Sequence, residues 1–348
     1  MRDYKEHLIV KGSALKIALA QLDKLASDAI LFVVDEEKVL RGSLTDGDVR
    51  RGLIRGLTTD DIVDSFIQPD PKYIQKSNYS FDKIIELREK RFKVVPVLDE
   101  GRRVVSVVNF VHQNSYLPID AVVMAGGRGE RLRPLTDTTP KPLLKVGNKA
   151  IMEHNMNRLI RFGIDDFWVS VRYLSDQIIE YFGNGRSKGV SIEYLHEEEP
   201  LGTIGAVAQI KNLKHDTVLI TNSDLLTNLD YEDFYLSFIK EEADLSVVTI
   251  PYDIKVPYAV LETSNGVINS FKEKPTYTYY ANGGIYLVKA DLLRDIPKDT
   301  FFDATDFLER LIESGKKVHS YVLRGYWLDI GRPSDYDKAQ EDIKHIKL

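Results

Sequence analysis

Cysteine is wholly absent from these 348 residues, which excludes disulfides, thiolate metal sites and cysteine nucleophiles together. Any metal must be held by oxygen or imidazole. Long apolar runs are missing too, since no stretch approaches the roughly 20 residues that cross a bilayer. The opening MRDYKEHLIVKGSALK has no long apolar h-region and no small-residue cleavage site, so a cytoplasmic protein is expected. A basic excess is the third absence. Residues 1–115 carry 19 basic and 18 acidic side chains, the remainder 28 and 35, which does not match a protein held to nucleic acid by its phosphates. Neither nucleic acid nor membrane is expected as a partner. An acidic half that binds anions must do so with loop amides, a few placed cations and a metal.

What is present reads as an ordinary globular protein, 43% hydrophobic and 29% charged, long enough for two domains of roughly 150 residues each. Residues 1–115 read as one unit used twice. In the first copy an amphipathic stretch, Ala14 to Leu25, precedes the strand AILFVVDE, a tight turn, the strand VLRGSLT and a basic helix from near Asp46. In the second, a helical pattern from Phe81 to Lys90 precedes VVPVLDEGRRVVSVVNF, with Asp-Glu-Gly at the bend. Residues 114–118, with Pro118, form a short linker.

From Asp120 strands alternate with helices: DAVVMA, a helix striped by Met152, Met156, Leu159 and Ile160, DFWVSVRY, a helix over Ser175 to Phe182, SIEYLH, a helix near Thr203 to Ile210, and TVLITNSD. Such alternation predicts a mostly parallel sheet with helices on both faces, with ligands beyond the carboxyl ends of its strands. Tyr258 to Val288 reads instead as hairpins, one turning at Ser264-Asn265-Gly266. This antiparallel extension is expected to cover the substrate.

The densest chemistry lies in AGGRGERLRPLTDTTPKPLLKVGNK, Ala125 to Lys149. Gly126, Gly127 and Gly129 would let backbone N–H groups close around a phosphate, with Arg128, Arg131, Arg133, Lys141 and Lys145 nearby. A dinucleotide fingerprint starting at Gly127 would need glycine where Leu132 stands, and no stretch ends in the GK[ST] of a P-loop. Asp224 and Asp329 each close an apolar strand. Alone, the first reads as a turn or capping aspartate and the second as an ordinary strand exit.

The full string resembles the opening motif GGxGxRLxPLTxxxPKPL of the sugar-phosphate nucleotidyltransferase family. The resemblance covers nearly all of residues 120–340, because LGT-GA at Leu201 to Ala206, NSD at Asn222 to Asp224, FKEKP at Phe271 to Pro275, NGGIY at Asn282 to Tyr286 and WLDIGRPSDY at Trp327 to Tyr336 follow in the family's order. It implies a Rossmann-like α/β domain with a mostly parallel mixed sheet over residues 120–348, and attack of a sugar 1-phosphate on the α-phosphorus of an NTP with release of pyrophosphate. It implies Arg131 on the triphosphate, Lys141 between the α-phosphate and the sugar phosphate, and Mg²⁺ on Asp224 and Asp329. Nucleotide would also meet Ala125, Gly126, Gly127, Arg128, Gly129, Gly202 and Thr203, and the sugar Glu273, Lys274, Asn282 and Gly283. The run EEEPLGTIGA is more similar to guanylyltransferases than to thymidylyl- or uridylyltransferases, which implies GTP.

LRGSLTDGDVRRGLIRG resembles the ligand-facing part of a CBS domain. That makes residues 1–115 a smaller α+β tandem CBS pair in which Thr45 and Asp48 would hold a nucleotide. Asn109 stands in the corresponding place of the second copy with no following aspartate, so one cleft would be empty or serve only for packing. Ligand sensing and a structural or self-associating role both remain open, as does a homo-oligomer. A CBS pair fused to such an enzyme resembles the guanylyltransferases of bacterial legionaminic acid biosynthesis, implying glucosamine 1-phosphate as acceptor. Other bases and sugars, or a non-catalytic nucleotide-sensing subunit, are the alternatives.

Overall fold

A computed structural model describes residues 3–77 and 79–346. The chain divides into two units, Met1–Pro118 with Leu159–Asp165 and Gly185–Ser191, and Ile119–Arg158 with Asp166–Asn184 and Ile192–Leu348.

The sequence repeat of the first unit folds as two three-stranded sheets of like topology. β1 (Leu8–Val10) runs parallel to β2 (Ile30–Val34), which pairs antiparallel with β3 (Leu40–Thr45). In the same way β4 (Ile74–Gln75) runs parallel to β5 (Val94–Leu98) and β5 antiparallel to β6 (Val104–Asn109). Both hairpins carry a register irregularity at the matching place, Val33/Val34 and Val97/Leu98. Helix α1 (Leu15–Leu25) buries Leu15, Ala18, Leu22 and Leu25, the three- and four-residue spacing of a single helical face, against Leu31, Val33 and Leu44. Helix α2 (Asp46–Ile54) follows β3, and α3 (Phe81–Glu89) precedes β5.

In the second unit β7 (Asp120–Met124) opens a seven-stranded sheet. A short hairpin, β8 (Lys145–Val146) and β9 (Lys149–Ala150), leads into α4 (Ile151–Arg161), followed by β10 (Asp166–Val171), α5 (Ser175–Phe182) and β11 (Ser191–His196). β12 (Thr217–Asn222), β13 (Leu225–Thr227) and α6 (Tyr231–Lys240) come next, then β14 (Leu245–Lys255), β15 (Val260–Ser264), β16 (Val267–Lys272) and β17 (Thr276–Lys289). The chain closes with α7 (Ala304–Glu313), β18 (Val318–Val322), β19 (Trp327–Asp329) and α8 (Pro333–Asp342). Sheet order is β11-β10-β7-β12-β17-β14-β18. β10, β7 and β12 are mutually parallel, β17 is antiparallel to both its neighbours, and β18 is parallel to β14. The central strands are buried on both faces, which is why they read as unbroken apolar runs.

One expectation needs correction. The helix near Thr203 to Ile210 is a five-residue 3-10 turn, Gly205–Gln209. A Cβ at Gly205 would lie 2.8 Å from the Thr300 carbonyl oxygen, so close packing of loops holds this segment in place of helical propagation. The hairpins after β14 do form, with Asn265 (φ 50°) and Gly266 (φ 81°) supplying the left-handed pair that a type I′ turn requires. Pro251 to Lys255 and Leu261 to Lys274 are exposed throughout.

At the amino-terminal edge of the parallel strands, Asp120, Asp166 and His215 offer ligand-type atoms within 4.8 Å of one another. Asp120 Oδ2 accepts from the backbone N–H groups of Lys214 (2.7 Å) and His215 (3.0 Å), and the Lys214 ammonium donates to Asp166. Burial, reinforced by the Asp166 charge, pushes the Asp120 carboxyl up to about 7 against the opposing pull of the two amides and Lys214. Between the ordinary carboxylate range and that value the folded chain holds a proton that the unfolded chain has released, so stability falls as pH rises, by up to about 1.4 kcal/mol per pH unit. Chemical denaturation from pH 4.5 to 8 is expected to show this slope in the native chain and its loss in Asp120→Asn; parallel curves for the two proteins would refute it.

Candidate active site

At the carboxyl ends of β7, β10 and β12, where an open α/β sheet presents its crevice, lies a cleft of about 490 Å³. A larger hollow of about 860 Å³ between Val207 and Asp299 contains no glycine loop. The cleft does. Ala125 is anchored through its N–H to the Ser170 carbonyl (3.0 Å), and Gly126, Gly127 and Gly129 follow along the wall. At Gly126 a Cβ would come 2.5 Å from Glu197 Oε1, so the missing side chain is what admits that carboxylate. Gly129 has φ 64°, and a Cβ there would meet Lys141 at 3.0 Å. The loop is thereby held against the lysine that follows it by twelve positions.

β12 ends at Asn222, and the chain turns through Ser223 and Asp224 into β13, which pairs antiparallel with β19 in the register Leu225↔Asp329. The Ile330 N–H donates to the Asp224 carbonyl at 3.1 Å. These two short strands set the two carboxylates side by side, although 105 positions separate them in the chain. Lys141 Nζ forms an ion pair with Asp224 Oδ2. The Arg131 guanidinium lies over Gly331, where a Cβ would meet it at 3.3 Å. Burial first, then the neighbouring Asp224, raises the Asp329 carboxyl above the usual carboxylate range, while Lys141 and Arg131 oppose the shift.

Oδ1 of Asp224 and Oδ1 of Asp329 are both buried without a hydrogen-bond partner among the described residues. Buried carboxylate oxygens are normally satisfied, so two orphans on adjacent strand ends have the accepting capacity that a bound cation would use. Hard oxygen donors of this kind suit Mg²⁺, which takes one or two carboxylates and fills its remaining positions with water and phosphate oxygens.

Of the residues singled out in the sequence, Ala125, Gly126, Gly127, Gly129, Arg131, Lys141, Gly202, Thr203 and Asp224 line the cleft, with Asp329 beside Asp224. Gly202 has φ 77° and sits against the Phe302 carbonyl, while Thr203 binds Asp303 through both its N–H (2.9 Å) and its hydroxyl (3.1 Å). Arg128 is not in the lining; it stands over the Tyr173 ring, 5.7 Å from the centroid. Glu273 and Lys274 are exposed on the hairpin and do not line the cleft. Asn282 Oδ1 accepts from the Gly284 N–H and the Tyr286 hydroxyl, and the Gly283 carbonyl accepts from Trp327 Nε1 at 2.9 Å, so both are engaged within the fold. Thr45 and Asp48, in the first unit, form the capping box of α2, and Asp48 also binds Arg51 at 2.5 Å.

Two polar lining residues beyond the motifs were not singled out, Glu197 and Arg172. Glu197 is nearly buried, accepting from the Ser170 hydroxyl and from the Leu201 N–H (3.1 Å). Arg172 has its Nε buried and unpaired among the described residues, and Asn222 of the NSD motif also lines the cleft. Each stands at or just beyond the carboxyl end of a strand, a position that could have flagged them.

The acid pair predicts a particular weakness. Lys141→Met leaves Arg131 as the remaining cation named beside Asp224 and Asp329, and the expected loss, on the order of 3 kcal/mol, should grow from pH 5 to pH 8 because the raised Asp329 carboxyl gives up its proton as pH rises. Urea denaturation at the two pH values checks this; an equal loss at both would contradict it.

The nucleotidyl transferase family model matches residues 120–346. The D-glycero-alpha-D-manno-heptose 1-phosphate guanylyltransferase of Aneurinibacillus thermoaerophilus is 34% identical over 65% of this chain and 99% of its own length. A mannose-1-phosphate guanyltransferase of Schizosaccharomyces pombe is 32% identical over 62% of each chain. A UTP–glucose-1-phosphate uridylyltransferase of Synechocystis is 29% identical over 66% of this chain and 65% of its own. Among solved structures, HddC from Yersinia pseudotuberculosis in complex with GMP-PN superposes with a TM-score of 0.50 at 28% identity, covering 64% of this chain and 99% of that one.

Proposed function

Because this chain belongs to the nucleotidyl transferase family, with the reaction class of the sugar-1-phosphate nucleotidyltransferases, we propose that it transfers a guanylyl group from GTP to glucosamine 1-phosphate, giving GDP-glucosamine and pyrophosphate. The observation that carries the reading is the pair of orphaned carboxylate oxygens beneath a glycine loop, with Lys141 and Arg131 directed at the same place. Direct displacement at phosphorus needs no side-chain nucleophile, only alignment and neutralisation of charge. Loop amides from Ala125 to Gly129 would cradle the triphosphate. Arg131 would balance the leaving pyrophosphate, and Lys141 would lie between the α-phosphate and the sugar phosphate. Asp224 and Asp329 would hold Mg²⁺, which when bound supplies further neutralisation of phosphate charge.

Guanine is supported by Glu197 as well as by the guanylyltransferase relatives. A carboxylate accepts only, and guanine presents adjacent N1–H and N2–H donors, whereas uracil and thymine turn carbonyl oxygens to either side of a single N–H. Each Glu197 oxygen already takes one protein donor and keeps further accepting capacity. Glucosamine rests on the resemblance of the fused architecture, and a sugar pocket would draw on Glu273, Lys274, Asn282 and Gly283.

Pyrophosphate release measured over four NTPs and a panel of sugar 1-phosphates tests both halves of the reading. GTP with glucosamine 1-phosphate should lead, Glu197→Gln should narrow the preference for GTP over UTP by about tenfold or more, and Asp224→Asn should reduce turnover by 10²-fold or more, the order seen when one charge-stabilising group is lost. A lead by UTP would overturn the base assignment, and undiminished turnover in Asp224→Asn would overturn the metal assignment.

For residues 1–115 we propose a CBS-type pair that binds a nucleotide at Thr45 and Asp48. Titration with AMP, ATP and GDP-sugar should show saturable binding or a change in turnover, lost in Asp48→Ala. No binding and unchanged kinetics would leave the capping box as the whole role of the two residues.

A further inference from the structure

The strands that end at the candidate active site bring a different set of side chains together where they begin. Asp120 opens β7 and Asp166 opens β10, and the parallel register Phe167↔Ala121 sets the two aspartates level on neighbouring strands. His215 stands two positions before β12, on the other side of β7, where Val218 pairs with Asp120. One ligand-type atom from each of the three residues lies within 4.8 Å of the others. Two further observations set this cluster apart from an ordinary group of acids. Asp120 is fully buried and uses Oδ2 within the fold, accepting from the Lys214 and His215 N–H groups, while its Oδ1 is buried with no hydrogen-bond partner among the described residues. An oxygen in that state is costly unless a cation or a water takes it up. His215 also lines the hollow of about 860 Å³ between Val207 and Asp299, which gives an ion a route in from solvent.

We propose that Asp120, Asp166 and His215 bind a divalent transition-metal ion of the Zn²⁺ class, which ties together the starts of β7 and β10 and the segment leading into β12. Two carboxylates and an imidazole form a mixed oxygen and nitrogen donor set, which suits Zn²⁺ better than Mg²⁺, an ion that prefers oxygen throughout. Ligand atoms at about 2.1 Å from one ion are separated by at most twice that distance, so the cluster closes onto an ion through side-chain shifts on the order of half an ångström. The Lys214 ammonium donates to Asp166 and is 43% exposed, so it can turn into water when a dication takes its place. Three protein ligands leave the fourth position of a tetrahedron to water from the hollow. Asp224 and Asp329 lie past the opposite ends of the strands. This ion therefore takes no part in the displacement at phosphorus and acts on the stability of the sheet.

Equilibrium dialysis of the full chain against micromolar Zn²⁺, followed by metal analysis, tests the site in an Asp224→Asn/Asp329→Asn background that removes the acid pair of the cleft. One Zn²⁺ per chain is expected to stay bound, with a rise in unfolding temperature on the order of a few degrees. His215→Ala keeps the backbone N–H that Asp120 uses and removes only the imidazole. That change and, separately, Asp120→Asn should each weaken Zn²⁺ binding by about tenfold or more and cancel the rise. No retained Zn²⁺ in the background overturns the proposal. So does retained Zn²⁺ that neither substitution weakens, since it then sits elsewhere, such as on another of the seven histidines. Should the double-Asn background fail to fold, the native chain and His215→Ala are compared directly, and equal Zn²⁺ content in the two overturns the proposal.

Discussion

Two carboxylates brought together in a partly buried cleft repel each other, and the second unit is arranged around that repulsion. The pairing of β13 with β19 forces Asp224 and Asp329 into neighbouring positions. Lys141 and Arg131 arrive from the loop after β7 to offset the charge. In consequence the glycine loop, the end of β12 and the last strand of the domain cannot be placed independently, because the charges on each demand the others. Gly331 and Gly129 contribute by having no side chain, which leaves room for the arginine and the lysine respectively.

Much of this was legible in the sequence, for physical reasons. Strands buried on both faces read as continuous apolar runs, and so β7, β10 and β12 and the helices between them stand out. The glycine loop is equally visible, since a backbone that must approach a ligand closely cannot tolerate Cβ atoms. The partnership of Asp224 with Asp329 was not visible from spacing at all. It depends on a three-residue strand pair bridging distant parts of the chain, and only the resemblance to a family joined the two. Glu197 and Arg172 escaped attention for a related reason. Glutamate and arginine are common on surfaces, and only their place just beyond the ends of β10 and β11 brings Glu197 and the Nε of Arg172 out of solvent at the cleft.

The antiparallel extension illustrates a different limit. Alternating apolar residues in residues 250–282 correctly announce strands with one apolar face, but periodicity says nothing of what that face meets. The first unit shows the opposite case. Its repeat was legible because both copies need the same apolar strands and the same bend, down to an irregularity at matching positions. Thr45 and Asp48 satisfy each other at the start of α2, so the residue types expected of a ligand site serve helix initiation as well.

The irregularity between Val247 and Thr249, in the pairing of β14 with β17, is a small feature with a wide effect. A strand's side chains alternate strictly, so an extra residue inserted in a continuous ladder would turn every following side chain to the wrong face. A break at the sheet boundary uncouples the two stretches. Upstream, Leu245 and Val247 answer to the core of the domain; downstream, the β14–β17 ribbon is free to lengthen, shorten or exchange its surface without disturbing the strand that carries Asn222 to the cleft. Related chains could thus diverge in whatever they touch through this appendage while the chemistry at the strand ends is left intact.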